Sequence, residues 1–192
     1  MCIRDSYARD SKFDHWSAHP FRGLKRDVYE GGHHVPFIVK WPGVAKTGVV
    51  SDALVSQIDI MATIADFVGY KLPDDQAEDS HNLAPLLRGD IDAVRTTHIH
   101  NTTNTQFAIR HGDWVLIDAK EGYCKAHDEV EAWEEKHGYP EDNNQPAELF
   151  NLVEDIGQRN NLAAEHPERV TEMQNLLKQI REQGYSAPRL AK

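Results

Sequence analysis

The sequence contains 192 residues with a mass of 21.8 kDa, enough for one domain or one and a half. Apolar residues make up 40% and charged residues 27%, a balance typical of globular chains that argues against wholesale disorder. No stretch approaches the ~20 apolar residues of a membrane span, and the net charge of −10 argues against a nucleic-acid binder.

Charge is distributed unevenly along the chain. Residues 15–50 contain five basic and two acidic side chains, whereas residues 120–158 contain eleven acidic side chains and three lysines. A locally basic stretch in an acidic protein suits a small anion better than a polyanion. The acidic stretch is interpreted as a solvated face.

The N-terminal stretch has few periodic apolar positions. Residues 1–6 (MCIRDS) resemble a cloning or assembly scar, and we exclude them from the fold. Residues 7–32 are rich in Ser, Asp, His and Gly and are predicted to form a loop. Residues 35–41 (VPFIVKW) form a short apolar run closed by Pro42-Gly43, which predicts a buried strand followed by a turn.

Two helices are predicted after that run. The first covers residues 59–68, with Asp59 suited to cap its start and Gly69 to end it. The second is shorter and covers residues 83–88, with Asn82 as its cap. Apolar side chains with helical spacing share one face of the first helix: Met61, Ile64, Ala65 and Val68.

The second half of the chain has the pattern of a small sheet with a closing helix. A hairpin is expected where His111-Gly112-Asp113 joins two apolar runs. The last helix begins near Pro167 and ends at Gly184. The predicted strands are 97–100, 107–110, 114–118 and 148–152, and a further helix covers 128–137.

This order of elements predicts an α/β fold class with two parts. Residues 7–94 are expected to be the tail of an α/β domain, and residues 95–192 a small α+β subdomain. That subdomain would hold an antiparallel sheet with a C-terminal helix.

The densest group of chemically capable side chains lies in residues 21–43. Gly31-Gly32 permits positive φ and close backbone approach, so the loop is expected to bring Lys25, Glu30 and two histidines to the mouth of the buried strand. A lysine there is a compact cation able to bind a tetrahedral oxyanion. Spacing alone favours a surface lysine beside two loop histidines.

Five segments of the chain follow one another in a recognisable order. The first is Lys25-x-x-x-Tyr29-Glu30-Gly31-Gly32 with Val35-Pro36 and Trp41-Pro42-Gly43. The others are Ser56-x-x-Asp59-Ile60, residues 83–89, residues 107–114, and residues 148–168. Together they resemble the type I sulfatases, the formylglycine-dependent arylsulfatases of the alkaline-phosphatase-like superfamily, and the first segment is similar to the signature late in their catalytic domain. The resemblance covers roughly residues 20 to 184.

The resemblance implies the tail of an alkaline-phosphatase-like catalytic domain, in a parent enzyme that hydrolyses aryl or carbohydrate sulfate esters. The family's lysine at the position of Lys25 binds the sulfate group and stabilises charge as the ester bond breaks, so we predict that catalytic role for Lys25. The family usually has Arg where this chain has His34; contact with an anionic sugar and a neutral structural role both stay open. His33 is a further candidate for substrate contact, and Glu30 is expected to fix the loop by hydrogen bonds.

His98 and His100 are also candidates for substrate contact. They alternate along a predicted strand and therefore share one face. The resemblance implies that the C-terminal subdomain lines the substrate cleft. We predict no metal site for the pair, because no third ligand is fixed nearby in the sequence.

The resemblance also implies groups that this sequence lacks. The family's formylglycine is made from Cys or Ser in a C/S-x-P-x-R motif, and neither Cys2 nor Cys124 stands in such a motif. The family's calcium ligands, an Asp-Asp pair near the N-terminus and an Asp-Asn pair shortly before the lysine signature, have no counterpart here. We therefore expect calcium and formylglycine in the intact parent only, and expect this chain to be inactive alone.

Two alternatives to a sulfatase stay open. One is a phosphatase or phosphonate hydrolase of the same superfamily, and the other is a non-catalytic carbohydrate-binding or interaction module. The expected partner is a sulfated small molecule or carbohydrate, with no nucleic-acid or membrane partner. A periplasmic or secreted location is suggested by the family resemblance alone. An exposed apolar edge is expected along residues 35–41, where neighbouring strands would be missing.

Overall fold

The computed structural model describes residues 4–124, 128–140 and 145–188. Two compact units make up the chain: Met1–Val35 with Ile99–Leu176, and Pro36–His98 with Leu177–Lys192. None of the described helices is long and apolar enough to cross a bilayer. The elements are α1 (Arg4–Phe13), α2 (Glu30–His33), α3 (Asp59–Phe67), α4 (Ala84–Arg88), β1 (Thr97–Thr103), β2 (Gln106–His111), β3 (Trp114–Ile117), α5 (Asp128–His137), β4 (Glu148–Asn151) and α6 (Pro167–Gln183).

The sheet confirms the predicted antiparallel arrangement. Within the described residues it has four strands in the order β1-β2-β3-β4. Strands β2 and β3 form the predicted hairpin, in which His111 lies opposite Trp114 and Gly112 takes a φ of 59°. Strand β4 pairs antiparallel with β3, so that Val115 lies opposite Phe150. Each predicted strand forms, as does the closing helix α6.

The core of the first unit lies around α1, α5 and the sheet. Tyr7 of α1 and Trp133 of α5 are fully buried and meet edge to face at 5.8 Å between ring centroids. The prediction of a loop over residues 7–32 was wrong at both ends, because α1 reaches Phe13 and α2 begins at Glu30. Among the described side chains of α1, the buried Tyr7 and the buried Asp10, which lies 2.7 Å from His137 Nε2, tie the helix to the core, and a periodicity pattern of apolar residues does not detect such anchors.

The second unit contains the two predicted helices. Gly69 and Gly89 end α3 and α4 with φ values of 70° and 71°, as expected for left-handed stops. The predicted cap of α4 was one residue off: the residue before the helix is Leu83, although Asn82 accepts a hydrogen bond from the Ala84 N–H at 2.9 Å. The predicted cap of α3 was wrong: the residue before the helix is Ile58, and the Asp59 carboxylate reaches back to the Ser56 N–H at 2.8 Å.

Residues 35–41 do not form the predicted strand. They form neither helix nor strand in the described structure. The expected apolar exposure is confirmed, since Ile38 is 92% exposed and Val35 and Phe37 are also exposed. An apolar run forms a buried strand only beside neighbouring strands, and the described chain supplies none next to it. The predicted division at residues 94 and 95 concerns the intact catalytic domain and stays a prediction.

Candidate functional site

Lys25 lies at the tip of a tight turn, which the Asp27 N–H closes by donating to the Leu24 carbonyl at 2.9 Å. The side chain of Lys25 is exposed, and among the described residues its ammonium has no hydrogen-bond or ion-pair partner. The next residue, Arg26, has a φ of 83°, in the left-handed region that a non-glycine residue enters at a cost of ~1 kcal/mol. Backbone strain of this kind clusters at functional sites, where the surrounding structure enforces it.

The side chain of Asp27 anchors this turn through hydrogen bonds. Its carboxylate is buried, and one oxygen accepts hydrogen bonds from the Leu24 N–H at 2.8 Å and the Tyr7 hydroxyl at 2.5 Å. The other oxygen accepts from the Cys124 N–H at 3.0 Å. Because three donors satisfy the buried carboxylate, the backbone that carries Lys25 is rigid although its ammonium faces water.

Gly31 and Gly32 are required by close backbone approach, not by positive φ, which neither residue adopts. A Cβ on Gly31 would lie 2.2 Å from the Gly23 carbonyl oxygen, and one on Gly32 would lie 1.9 Å from the Asp27 carbonyl oxygen. Real Cβ atoms do not approach an oxygen so closely. The glycine pair therefore lets α2 pack directly against the turn that carries Lys25.

Glu30 is the first residue of α2 and is only 3% exposed. Its Oε1 lies 3.5 Å from His33 Nε2, and its Oε2 lies 3.1 Å from His34 Nδ1. Burial alone would raise the pKa of Glu30, but hydrogen bonds with His33 and His34 outweigh it and hold that pKa well below its usual value. Glu30 is therefore an ionised carboxylate that fixes the loop, as the sequence predicted.

Three of the four predicted histidines gather around Glu30. The ring of His34 stacks on Phe21 with centroids 4.3 Å apart, and the ring of His33 lies against His100 with centroids 3.7 Å apart. His100 Nε2 donates to the Val28 carbonyl at 2.9 Å. We name Glu30, His33, His34 and His100 the Glu30 cluster.

His98 belongs to the second unit. Its Nδ1 accepts a hydrogen bond from Arg95 at 3.1 Å, and Arg95 in turn pairs with the buried Asp59. Its predicted contact with substrate, like that of His100, stays a prediction.

Two buried residues that the sequence analysis missed support the Glu30 cluster. Gln158 is fully buried, and its Oε1 accepts from the Glu30 N–H at 2.8 Å. Arg22 donates to the Gln158 carbonyl at 3.2 Å and to Glu134 at 2.6 Å, and lies over the Tyr29 ring at 4.2 Å. Gln158 is 128 positions away from Glu30, so no local pattern indicates this contact.

The four-stranded sheet and its helices have the architecture of the C-terminal region of sulfatases. The chain belongs to the family of the N-sulphoglucosamine sulphohydrolase C-terminal region, which it matches over residues 24–183. It is 32% identical over 183 residues to an N-acetylgalactosamine-6-O-sulfatase of Bacteroides thetaiotaomicron, covering 93% of this chain and 34% of that protein.

Solved structures show the same fold. A Bacteroides thetaiotaomicron structure described in connection with the metabolism of multiple glycosaminoglycans matches with a TM-score of 0.66 and 30% identity, over 84% of this chain and 32% of that one. A structure in complex with k-i-k-neocarrahexaose matches with a TM-score of 0.64 over 84% of this chain and 32% of that one; at 22% identity it shows the fold alone. The chain spans about a third of the length of these relatives.

Proposed function

We propose that this chain is the C-terminal part of an enzyme that hydrolyses sulfate esters, and that the ester is carried by a carbohydrate. Family membership over residues 24–183 supports the reaction class. The N-acetylgalactosamine-6-O-sulfatase and the structure described for glycosaminoglycan metabolism support a carbohydrate substrate. A periplasmic or secreted location follows from the family resemblance and is part of the same proposal.

The observation that carries the proposal is the position of Lys25. It is an exposed cation without a partner among the described residues, on a turn that the buried Asp27 holds. In the proposed reaction, Lys25 binds an oxygen of the sulfate group and stabilises the negative charge that develops as the ester bond breaks. The anchored turn fixes the backbone that carries Lys25, and a cation placed near the developing negative charge lowers the energy of the transition state.

Calcium and the formylglycine nucleophile are assigned to the remainder of the proposed enzyme. Within residues 4–124, 128–140 and 145–188, no group of three His, Cys, Asp or Glu side chains is arranged to hold a metal ion. The His, Cys, Asp and Glu side chains of the described residues therefore do not fit a calcium site, and we derive no step through calcium. Neither cysteine of the sequence stands in the motif from which the family makes formylglycine.

Replacing Lys25 tests the proposal in the longer protein that contains this chain. We expect Lys25→Ala to lower kcat/KM for a sulfate ester roughly 100-fold or more, the usual effect of losing one group that stabilises developing negative charge. Lys178→Ala, at an exposed lysine of α6, is the matched control and should retain the parent rate. Sulfate release is the measurement. A Lys25→Ala enzyme as active as the control would contradict the assignment.

A further inference from the structure

We propose that His34 contacts the carbohydrate, with Glu30 positioning its imidazole so that Nε2 accepts a hydrogen bond from a substrate hydroxyl. The inference rests on the proposed function, because it assumes a carbohydrate sulfate as the substrate. It assigns to His34 a part separate from that of Lys25: Lys25 holds the sulfate group, and His34 recognises the sugar.

The contact between Glu30 and His34 determines which ring nitrogen carries the proton. Glu30 Oε2 lies 3.1 Å from His34 Nδ1. An ionised carboxylate can only accept hydrogen bonds, so Nδ1 must be the donor. A neutral imidazole with its proton on Nδ1 has a lone pair on Nε2, which makes Nε2 an acceptor. The burial of Glu30 and its depressed pKa support the ionised form that this step needs.

The ring of His34 is held in a fixed plane. It stacks on Phe21 with 19° between the ring planes, and its backbone N–H donates to the Glu30 carbonyl at 2.8 Å. Its side chain is nevertheless 46% exposed, and Nε2 has no hydrogen-bond partner among the described residues. A side chain that is already ordered loses little conformational freedom when it binds a ligand, so such an acceptor suits recognition.

The neighbouring His33 is built differently. Its Nε2 faces the other oxygen of Glu30, and its ring lies against His100. Its Nδ1 is buried and has no hydrogen-bond partner within the described part of the chain. Both ring contacts of His33 therefore lie within the Glu30 cluster, while His34 keeps its Nε2 available to a ligand. The sequence alone did not separate these two histidines.

The residue type matters for this assignment. By the resemblance, type I sulfatases usually have Arg at this position, and an arginine side chain donates hydrogen bonds but accepts none. A histidine whose Nδ1 donates to Glu30 instead offers a hydrogen-bond acceptor at Nε2. The proposal therefore predicts that restoring the family's residue, His34→Arg, removes the acceptor and weakens sugar binding.

The kinetic test uses the longer protein with two substrates: N-acetylgalactosamine 6-sulfate, and an aryl sulfate without hydroxyl groups. His34→Ala and His34→Arg should raise KM for the sugar sulfate about three- to tenfold, the effect of one neutral hydrogen bond. The kcat for the sugar sulfate and the kcat/KM for the aryl sulfate should stay within about twofold of the parent. His15→Ala, at an exposed histidine outside the Glu30 cluster, is the matched control.

Two outcomes overturn the inference while leaving the proposed function intact: unchanged kinetics in both variants, or an equal loss on both substrates. A parent enzyme that releases sulfate from neither substrate overturns the proposed function, and this inference with it. Thermal unfolding of each variant shows whether a loss in the kinetic assay comes from misfolding. If a variant misfolds, His34→Gln serves as the second variant. It keeps a polar group of similar reach and should bind the sugar at least as well as His34→Ala.

A measurement independent of activity tests the positioning role of Glu30. Nitrogen-15 NMR of histidine-labelled protein, with His34→Gln used to assign the signal, reports which ring nitrogen of neutral His34 is protonated. We expect the Nδ1-protonated form in the parent, and a shift toward the Nε2-protonated form in Glu30→Ala. An Nε2-protonated His34 in the parent would overturn the proposal.

Discussion

At the scale of single residues, each of the two exposed groups of the candidate site is held by a buried carboxylate beside it. Lys25 and His34 both face solvent, and Asp27 and Glu30, each almost fully buried, hold the backbone or ring behind them. The buried members are satisfied by several donors each, so they have one arrangement. The backbone of Lys25 and the ring of His34 are therefore held in place, as the proposed ligand contacts require.

The approach of Gly32 to Asp27 gives a prediction about stability. Gly32→Ala would place a Cβ 1.9 Å from the Asp27 carbonyl oxygen, so the turn must open. We expect it to lower the free energy of unfolding by at least about 2 kcal/mol. Gly157→Ala is the control, since its Cβ would lie 3.5 Å from the Pro20 carbonyl and should cost under about 1 kcal/mol. Urea unfolding compares them, and equal losses would contradict the packing argument.

Glu148 gives a prediction about pH. Burial is the main cause that raises its pKa to about 7 from the ordinary 4.5, despite the attraction of Arg22 and the Tyr29 hydroxyl that donates to it at 2.7 Å. A raised pKa in the folded state means that the carboxyl stabilises the fold fully below pH 4.5, and that this contribution is lost as pH rises through 7. The full effect is about 3 kcal/mol.

Glu148→Gln removes this titration. Relative to that variant, the parent chain should become less stable by up to about 3 kcal/mol between pH 5 and pH 8, as measured by urea unfolding. Glu165→Gln, at an exposed glutamate, is the control and should follow the parent at every pH. A stability difference between the parent and Glu148→Gln that does not change with pH would show that Glu148 is not perturbed in this way.

At the scale of elements, the start of α3 depends on one buried carboxylate. Asp59 is fully buried, accepts hydrogen bonds from the Ser56 and His81 N–H groups at 2.8 and 2.9 Å, and pairs with Arg95. Asp59→Asn leaves Arg95 buried without its counter-charge, so we expect a loss of about 3–5 kcal/mol in unfolding free energy. Asp66→Asn, exposed on the same helix, should change it by less than about 0.5 kcal/mol. Equal losses of unfolding free energy in Asp59→Asn and Asp66→Asn would contradict this role of Asp59.

The elements that the sequence predicted well are those with local signals. The hairpin through Gly112, the helix stops at Gly69 and Gly89, and the start of α6 at Pro167 all follow from signals within a few residues. The elements it missed depend on distant contacts. Helix α1 is tied to the core by the buried Tyr7, and residues 35–41 lack the neighbouring strands that an apolar run needs.

The residues of the candidate site also divide into those with a local sequence signal and those that depend on distant contacts. Lys25, Glu30 and the two adjacent histidines were found because they stand in one motif. Gln158 was not, because its contact with Glu30 spans 128 positions, and Arg22 was not, because its supporting contact with Gln158 spans 136 positions. The sequence also could not show which of His33 and His34 points outward, since that depends on how their rings pack on His100 and Phe21.

At the scale of the whole molecule, the second unit exposes an unusual amount of apolar surface. The apolar face of α3 is largely exposed, and Ile38 is exposed as well. Because the chain spans about a third of the length of its relatives, we propose that the rest of the catalytic domain covers these side chains. The exposed residues that support this proposal are Ile58, Ile60, Met61, Ile64, Phe67 and Val68.

The most direct test of the proposed enzyme measures sulfate and phosphate release from matched carbohydrate esters. The assays compare the longer protein with the isolated 192-residue chain. We expect the longer protein to release sulfate much faster than phosphate, and the isolated chain to release neither above background, because it lacks the motif for the nucleophile. Faster release of phosphate, or turnover of the sulfate ester by the isolated chain, would contradict the assignment of this chain to the C-terminal part of a sulfatase.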